Sequence, residues 1–213
     1  IQIVHSNSSV IDFGYYLSKV LHAKHVWHIR EFQNFDFGLK PFLGWDRLKR
    51  LIKKSDLSIS ITPYIAKHYG LDKLPNSIVL GDAVRCKTDA TSEWPKKKYF
   101  LFCGHVCSAK GADLAVKAFS EFSHSLQANQ NEYRLKFCGN CDEEYKSKLM
   151  AIDPSINDKI DFLGYQADPK PYFKNSIAFL MCSSNEGLGR VTIEAMFYGC
   201  LLYTSPSPRD RSL

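Results

Sequence analysis

The sequence predicts an α/β protein with parallel sheets covered by helices on both faces, arranged as two modules. Three observations carry this. Short β-rich apolar runs alternate with stretches of helical spacing along most of the 213 residues. One polar stretch with a proline and a lysine run, residues 85–98, interrupts the series. Glycine-bounded turns follow apolar runs at 104–111 and 182–190, at strand carboxyl ends, where ligands gather in such sheets.

The first module spans residues 1–84. Ile1 to Val4 reads as a strand, and His5 to Ser9 as a polar turn. Val10 to Leu21 carries apolar residues at helical spacing. Lys24 to Ile29 alternates and is β-rich, so it reads as a second strand that ends in Arg30-Glu31-Phe32. Residues 33–44 are aromatic and contain glycine, which suits a loop or lid. Trp45 to Lys54 predicts a basic amphipathic helix, with Leu48, Leu51 and Ile52 on one side. Leu57 to Ile61 is a third strand, and Pro63 to Tyr69 a short helix opened by proline. Ser77 to Leu80 is a fourth strand.

The second module spans 99–199. Tyr99 to Cys103 is a strand, followed by the loop Gly104 to Gly111. Ala112 to Ala128 is a helix with Leu114, Ala115, Ala118, Phe119 and Phe122 on one face. Strands at Tyr133 to Cys138 and Ile160 to Leu163 flank a helix at Glu143 to Ile152. A short helix at Pro169 to Lys174 precedes the apolar run Ser176 to Cys182. The stretch Ser183 to Met196 then reads as glycine turn and helix, with Ile193, Met196 and Phe197 on the apolar face.

Hydrophobic content of 45% and charge of 23% are ordinary for a globular protein. No run approaches the roughly 18 apolar residues of a spanning helix. The chain opens on strand-like residues rather than a signal peptide or an initiating Met, so it is expected to start within a domain. A net charge of +6 suits phosphate-bearing ligands or an anionic membrane surface and is too weak to argue for nucleic acid. Seven cysteines include Cys103, Cys138 and Cys182 in apolar runs, where a reduced thiol packs as a small hydrophobe. The lone C-x-x-C at Cys138 to Cys141 lacks the further ligands a zinc site needs. A reducing, cytoplasmic location is expected.

Two features carry chemistry. Lys110, after a strand, beside Gly111 and at a helix start, suits a phosphate, though such a lysine is also compatible with plain solvation. Glu186 and Glu194 lie eight positions apart, one in the turn and one two helical turns in. Such a pair can hold sugar or ribose hydroxyls. The alternative makes Glu186 a helix cap and Glu194 a solvated helix residue.

The ordered set strand-Gly104-x5-Lys110-Gly111-helix, strand-Gly139, Phe162-Leu163-Gly164 and Ser183-x2-Glu186-Gly187-x-Gly189-x4-Glu194-Ala195-Met196-x2-Gly199 resembles the C-terminal domain of family-4 glycosyltransferases, including their E-x7-E signature. Residues 1–84 resemble the later part of that family's acceptor domain, with weaker motifs. The resemblance implies the GT-B fold, two Rossmann-like domains facing across a cleft. It implies transfer of a sugar from a nucleotide-diphosphate donor to an acceptor hydroxyl with retention, usually without a metal and with no cofactor besides the co-substrate. Carried over by position, Glu186 contacts donor-sugar hydroxyls and Glu194 the nucleotide ribose. Lys110 and the Gly104-His105 turn meet the diphosphate, and the backbone of Gly187, Leu188, Gly189 and Arg190 holds sugar and phosphate.

The sequence departs from the family at His105, where Arg is common, which removes a bidentate charge. Members often carry a His at the end of an acceptor-domain strand. Here alternation puts His28 and Arg30 on one side of the second strand, with Arg30 the first candidate for that position and His28 the second. His5 is a weaker candidate. The basic helix 45–54 reads either as a solvated face or as a peripheral contact with anionic lipid at the inner membrane face, near a saccharide or lipid-linked acceptor. A role in cell-surface polysaccharide or glycolipid synthesis follows from the resemblance. The alternatives are a nucleotide-sugar epimerase on the same scaffold and a non-catalytic nucleotide-binding remnant.

Residues Cys200 to Asp210 resemble the translation of a common transposase sequencing adapter, and 200–213 are therefore set aside from the fold. On that reading both modules are incomplete, with exposed sheet edges, and the chain as it stands is expected to be inactive.

Overall fold

The structure, a computed structural model, describes residues 1–34, 38–42, 44–84, 97–126 and 132–204. Most of the 85–98 linker, part of the 33–44 loop, the end of the 112–128 helix and residues 205–213 lie outside the described residues. Two units are distinguished, residues 1–83 with 186–188 and residues 84–185 with 189–213.

In the first unit, β1 (Ile3–Ser6), β2 (Lys24–Ile29), β3 (Leu57–Ser60) and β4 (Ser77–Val79) form one sheet in sequential order. All pairs are parallel. The helices are α1 (Phe13–Val20), α2 (Trp45–Lys53) and α3 (Pro63–Tyr69). β1 starts two residues later than expected, because its pairing begins at Ile3 opposite Lys24, where β2 itself begins. In β2 the alternation holds: His25, Trp27 and Ile29 are buried, and Val26 and His28 are half-buried. Trp27 and Ile29 pack with Leu48 and Ile52 of α2 and Ile65, Ala66 and Tyr69 of α3. Leu48 and Ile52 are four apart, so α2 buries one stripe and keeps its bases elsewhere. The α3 start follows from Thr62, whose hydroxyl accepts from the Ile65 amide at 3.2 Å, with Pro63 in the first turn. Buried His25 is held between two hydroxyls, Nε2 to Ser6 and Nδ1 to Ser55, each at 2.9 Å.

The second unit contains β5 (Tyr99–Cys103), α4 (Ala112–Ser125), β6 (Arg134–Cys138), α5 (Glu143–Met150), β7 (Ile160–Phe162), α6 (Lys170–Asn175), β8 (Ala178–Met181), α7 (Arg190–Phe197) and β9 (Leu201–Thr204). The strand order is β7-β6-β5-β8-β9, all parallel. Successive β5 residues face opposite layers. Phe102 packs with Ala115, Val116 and Phe119 of α4, and Leu101 with Phe173 of α6 and Ala195 of α7. Both faces are therefore covered, as the alternation predicts.

The stretch set aside after Gly199 contributes to this sheet. Gly199 turns the chain at a φ of 65°. Cys200 is buried and its amide donates to the Ala195 carbonyl at 2.9 Å. Leu201 to Thr204 then pairs with Ala178 to Met181. Resemblance to an adapter says nothing about β propensity, and Leu201-Leu202-Tyr203 is an apolar, strand-compatible run beside an open edge.

Candidate functional site

Glycines mark the carboxyl ends of three neighbouring strands in the second sheet. Gly104, Gly139 and Gly164 follow β5, β6 and β7 with φ of 129°, 155° and 67°. Gly104 donates to the Cys138 carbonyl at 2.9 Å, and Gly139 bridges to Gly164. A Cβ on Gly139 would run into the Gly104 carbonyl, so only glycine lets these strand ends approach.

Beyond Gly104, His105 is exposed and Val106 is buried, bridged to Cys141. Within the loop 104–111, Ser108 to Lys110 forms one 3-10 turn. Lys110 is thus the last residue of that turn, half-buried, rather than the first of α4. Gly111 separates the two at a φ of 72°, with its α-carbon against the Cys182 backbone. The amide-rich start of α4 is therefore docked on the end of β8, the strand that leads into the acidic motif.

That motif enters α7 through Gly189, left-handed at φ 70° and ψ 48°, with no side chain capping the helix. Glu186 is therefore not the N-terminal cap. Arg190 is the exposed first residue of α7. Glu194 is half-buried and lines a cavity of about 320 Å³ with Asp168, Pro169, Lys170, Phe173 and Tyr198. It is a cavity residue rather than a solvated helix position. Its charge also reaches the end of β5. The Cys103 thiol is raised well above its ordinary range, first by its hydrogen bond to Cys138, then by burial, then by the charges of Cys138 and Glu194.

The remaining predicted residues belong to the first unit. Glu186 is half-buried and Leu188 packs against the Ile61–Ile65 cluster. A Cβ on Gly187 would lie 2.6 Å from the Arg30 carbonyl, so the tight turn needs glycine here too. Arg30 is ion-paired with Asp82, just beyond β4. His28 stacks on His5 with ring centroids 5.7 Å apart. Its Nε2 is buried with no hydrogen-bond partner among the described residues. Burial first, then the charges of Arg30 and His5, lower its pKa and favour the neutral ring.

On α2, Arg47 donates to the Tyr16 hydroxyl at 2.8 Å and Lys49 to the His68 carbonyl at 3.1 Å, while Arg50, Lys53 and Lys54 are exposed. Among the described residues no helix is long and apolar enough to cross a membrane, and no cluster of three or more metal-capable side chains occurs. Sequence reasoning missed Asp82 and the cavity residues Asp168, Lys170 and Tyr198. Each meets its partner through the fold, and no spacing signals that.

Residues 86–209 match the sequence profile of the family described as glycosyl transferases group 1, more than half of the chain. An uncharacterized glycosyltransferase of Haemophilus influenzae is 32% identical over 104 residues, which is 49% of this chain and 28% of that protein. The second relative, from Campylobacter jejuni, is 28% identical over 107 residues, 50% of this chain and 28% of its own length. It is named as an α-1,4-N-acetyl-D-galactosaminyltransferase acting on an undecaprenol-diphosphate-linked saccharide. Among solved structures, a mutant of Staphylococcus aureus TarM in complex with UDP superposes with a TM-score of 0.77 at 15% identity, over 97% of this chain and 41% of that one. That likeness concerns the fold, and it is of the GT-B class the sequence predicts.

Proposed function

Because the chain belongs to the glycosyl transferases group 1 family, we propose that it is the nucleotide-sugar-handling part of a retaining glycosyltransferase of the family-4 type. The observation that carries this is the position of Glu194, half-buried in a cavity on the same unit as the glycine edge at Gly104, Gly139 and Gly164. A carboxylate held in a cavity can accept two ribose hydroxyls, and a backbone edge without side chains admits a bulky anion.

On this reading the bond between the sugar's anomeric carbon and the diphosphate oxygen breaks, and the acceptor hydroxyl takes the sugar. Negative charge grows on the leaving diphosphate. Lys110, the Gly104-His105 turn and the amides at the start of α7, Gly189 and Arg190, stabilise it. Glu186, with the Gly187-Leu188 backbone, orients the sugar hydroxyls. Arg30, or His28 in its place, is assigned the catalytic position of the acceptor-side unit. No residue role here calls for a metal.

The acceptor is a saccharide, free or lipid-linked, in cell-surface polysaccharide or glycolipid synthesis on the cytoplasmic side. The exposed Arg50, Lys53 and Lys54 would hold the protein to anionic lipid. The Campylobacter relative, whose name places its saccharide on a lipid diphosphate, supports that acceptor class. The test is a panel of nucleotide sugars presented to the full-length protein with short saccharide and lipid-linked acceptors. Transfer with retained configuration is expected. Interconversion of nucleotide sugars without transfer would make it an epimerase, and UDP binding without turnover a remnant. Unchanged transfer in Glu186→Gln would remove that residue from the site.

A further inference from the structure

The structure brings four cysteines to one corner of the second sheet, and two of them are direct register partners. Cys103 ends β5 and Cys138 ends β6, paired side by side in the parallel ladder. Neighbouring strands lie about 4.8 Å apart. A disulfide spans α-carbons roughly 4.4–6.8 Å apart. Partners in register also point to the same face of a sheet. Both thiols sit in the layer built by Tyr99, Leu101, Phe173 and Ala195, Cys138 buried and Cys103 partly exposed. The two thiols are hydrogen-bonded to each other. Cys107 and Cys141 flank the pair, and Cys141 is placed by its bridge to Val106.

We propose that Cys103 and Cys138 form a peroxide-sensitive dithiol that closes reversibly to a disulfide across the β5–β6 ends. In the first step one of the two sulfurs takes one oxygen from hydrogen peroxide, giving a sulfenic acid and releasing water. In the second the partner sulfur displaces that oxygen, which leaves with the thiol proton as a second water. Two thiols lose two electrons and two protons, and one peroxide is reduced to two waters. Either sulfur can be oxidised first and the product is the same, because the two residues are register partners on one face of the sheet. A thiol reductant reverses the bond by exchange.

The pair lies directly before Gly104 and Gly139, and Glu194 is near enough to act on Cys103 by its charge. The modification is therefore written beside the strand ends, whatever ligand they hold, and does not rest on the proposed reaction.

The experiment treats the whole chain with hydrogen peroxide, alkylates remaining thiols and maps tryptic peptides. Tyr99 to Lys110 carries Cys103 and Cys107, and Phe137 to Lys146 carries Cys138 and Cys141, so fragmentation spectra must assign the bond. A Cys103–Cys138 link is expected, lost after dithiothreitol. It should persist in the Cys107→Ser/Cys141→Ser double variant and vanish in Cys138→Ser. A link that runs only through Cys107 or Cys141, or full alkylation of Cys103 and Cys138 after peroxide, would overturn the proposal. Fragmentation of the unmodified chain decides the matter even where a variant fails to fold.

Discussion

Arg30, at the carboxyl end of β2, is ion-paired with Asp82, which lies past the end of β4 two strands away. Asp82 is only 15% exposed and Arg30 33%, so the pair is better shielded than a surface bridge. The cation proposed for the reacting position is thus held by an acid, while burial favours the neutral ring of its neighbour His28.

Asp82 should therefore act as a positioning residue for Arg30. In the full-length enzyme, Asp82→Asn is expected to lower kcat/KM by about tenfold, the effect of an uncompensated charge costing roughly 1–3 kcal/mol. Arg30→Ala should have a similar effect, and the double variant should be no worse than either alone. Steady-state kinetics of the three proteins decide it; additive losses would show that the two residues act separately.

On the proposed reading, Glu194→Gln should weaken binding of a nucleoside diphosphate. Loss of a charged hydrogen-bond partner is worth about 1.5–3 kcal/mol, or tenfold or more in Kd. Calorimetric titration reads this without any acceptor. The melting temperature should hold, since the α7 core contacts are made by Ala195 and Tyr198.

Gly111→Ala and Gly164→Ala separate two costs of a left-handed glycine. Their φ values are 72° and 67°, so alanine strains both backbones by about 1–3 kcal/mol. Only at Gly111 does the new methyl also meet backbone, that of Cys182. Urea unfolding should place Gly111→Ala clearly below Gly164→Ala; equal midpoints would mean that the α4–β8 approach gives way freely.

Acid should loosen the first unit. His25, His28 and His68 all have lowered pKa values, burial being the first cause of each. Protonation then favours the unfolded chain, so their stability contribution is present above the ordinary histidine value of about 6.5 and is lost below it. Urea midpoints followed through the tryptophans, of which Trp27 is a fully buried core residue, should fall as the pH drops below that value. A flat profile would contradict the burial of these rings.

Much of the fold was legible because period and punctuation are local. β2, α3 and β5 run as read, since alternation, Pro63 after Thr62, and the Gly104 break all act within a few residues. β9 was not legible, because its propensity was discounted on grounds of resemblance. The 3-10 turn before Gly111 was missed because its three residues carry no apolar period. At the candidate site the acidic spacing and the glycines could be read. The Asp82 partnership and the company of Glu194 could not, because each joins segments far apart in the chain.

The glycine edge at Gly104, Gly139 and Gly164 has a consequence for how such a protein changes over time. A surface of bare peptide offers the same donors and acceptors whatever codons surround it. It can be lost by mutation but scarcely retuned. Under the proposed assignment, preference among ligands is written in side chains such as His105 and Lys110, which can drift one at a time while the glycines beside them stay the same.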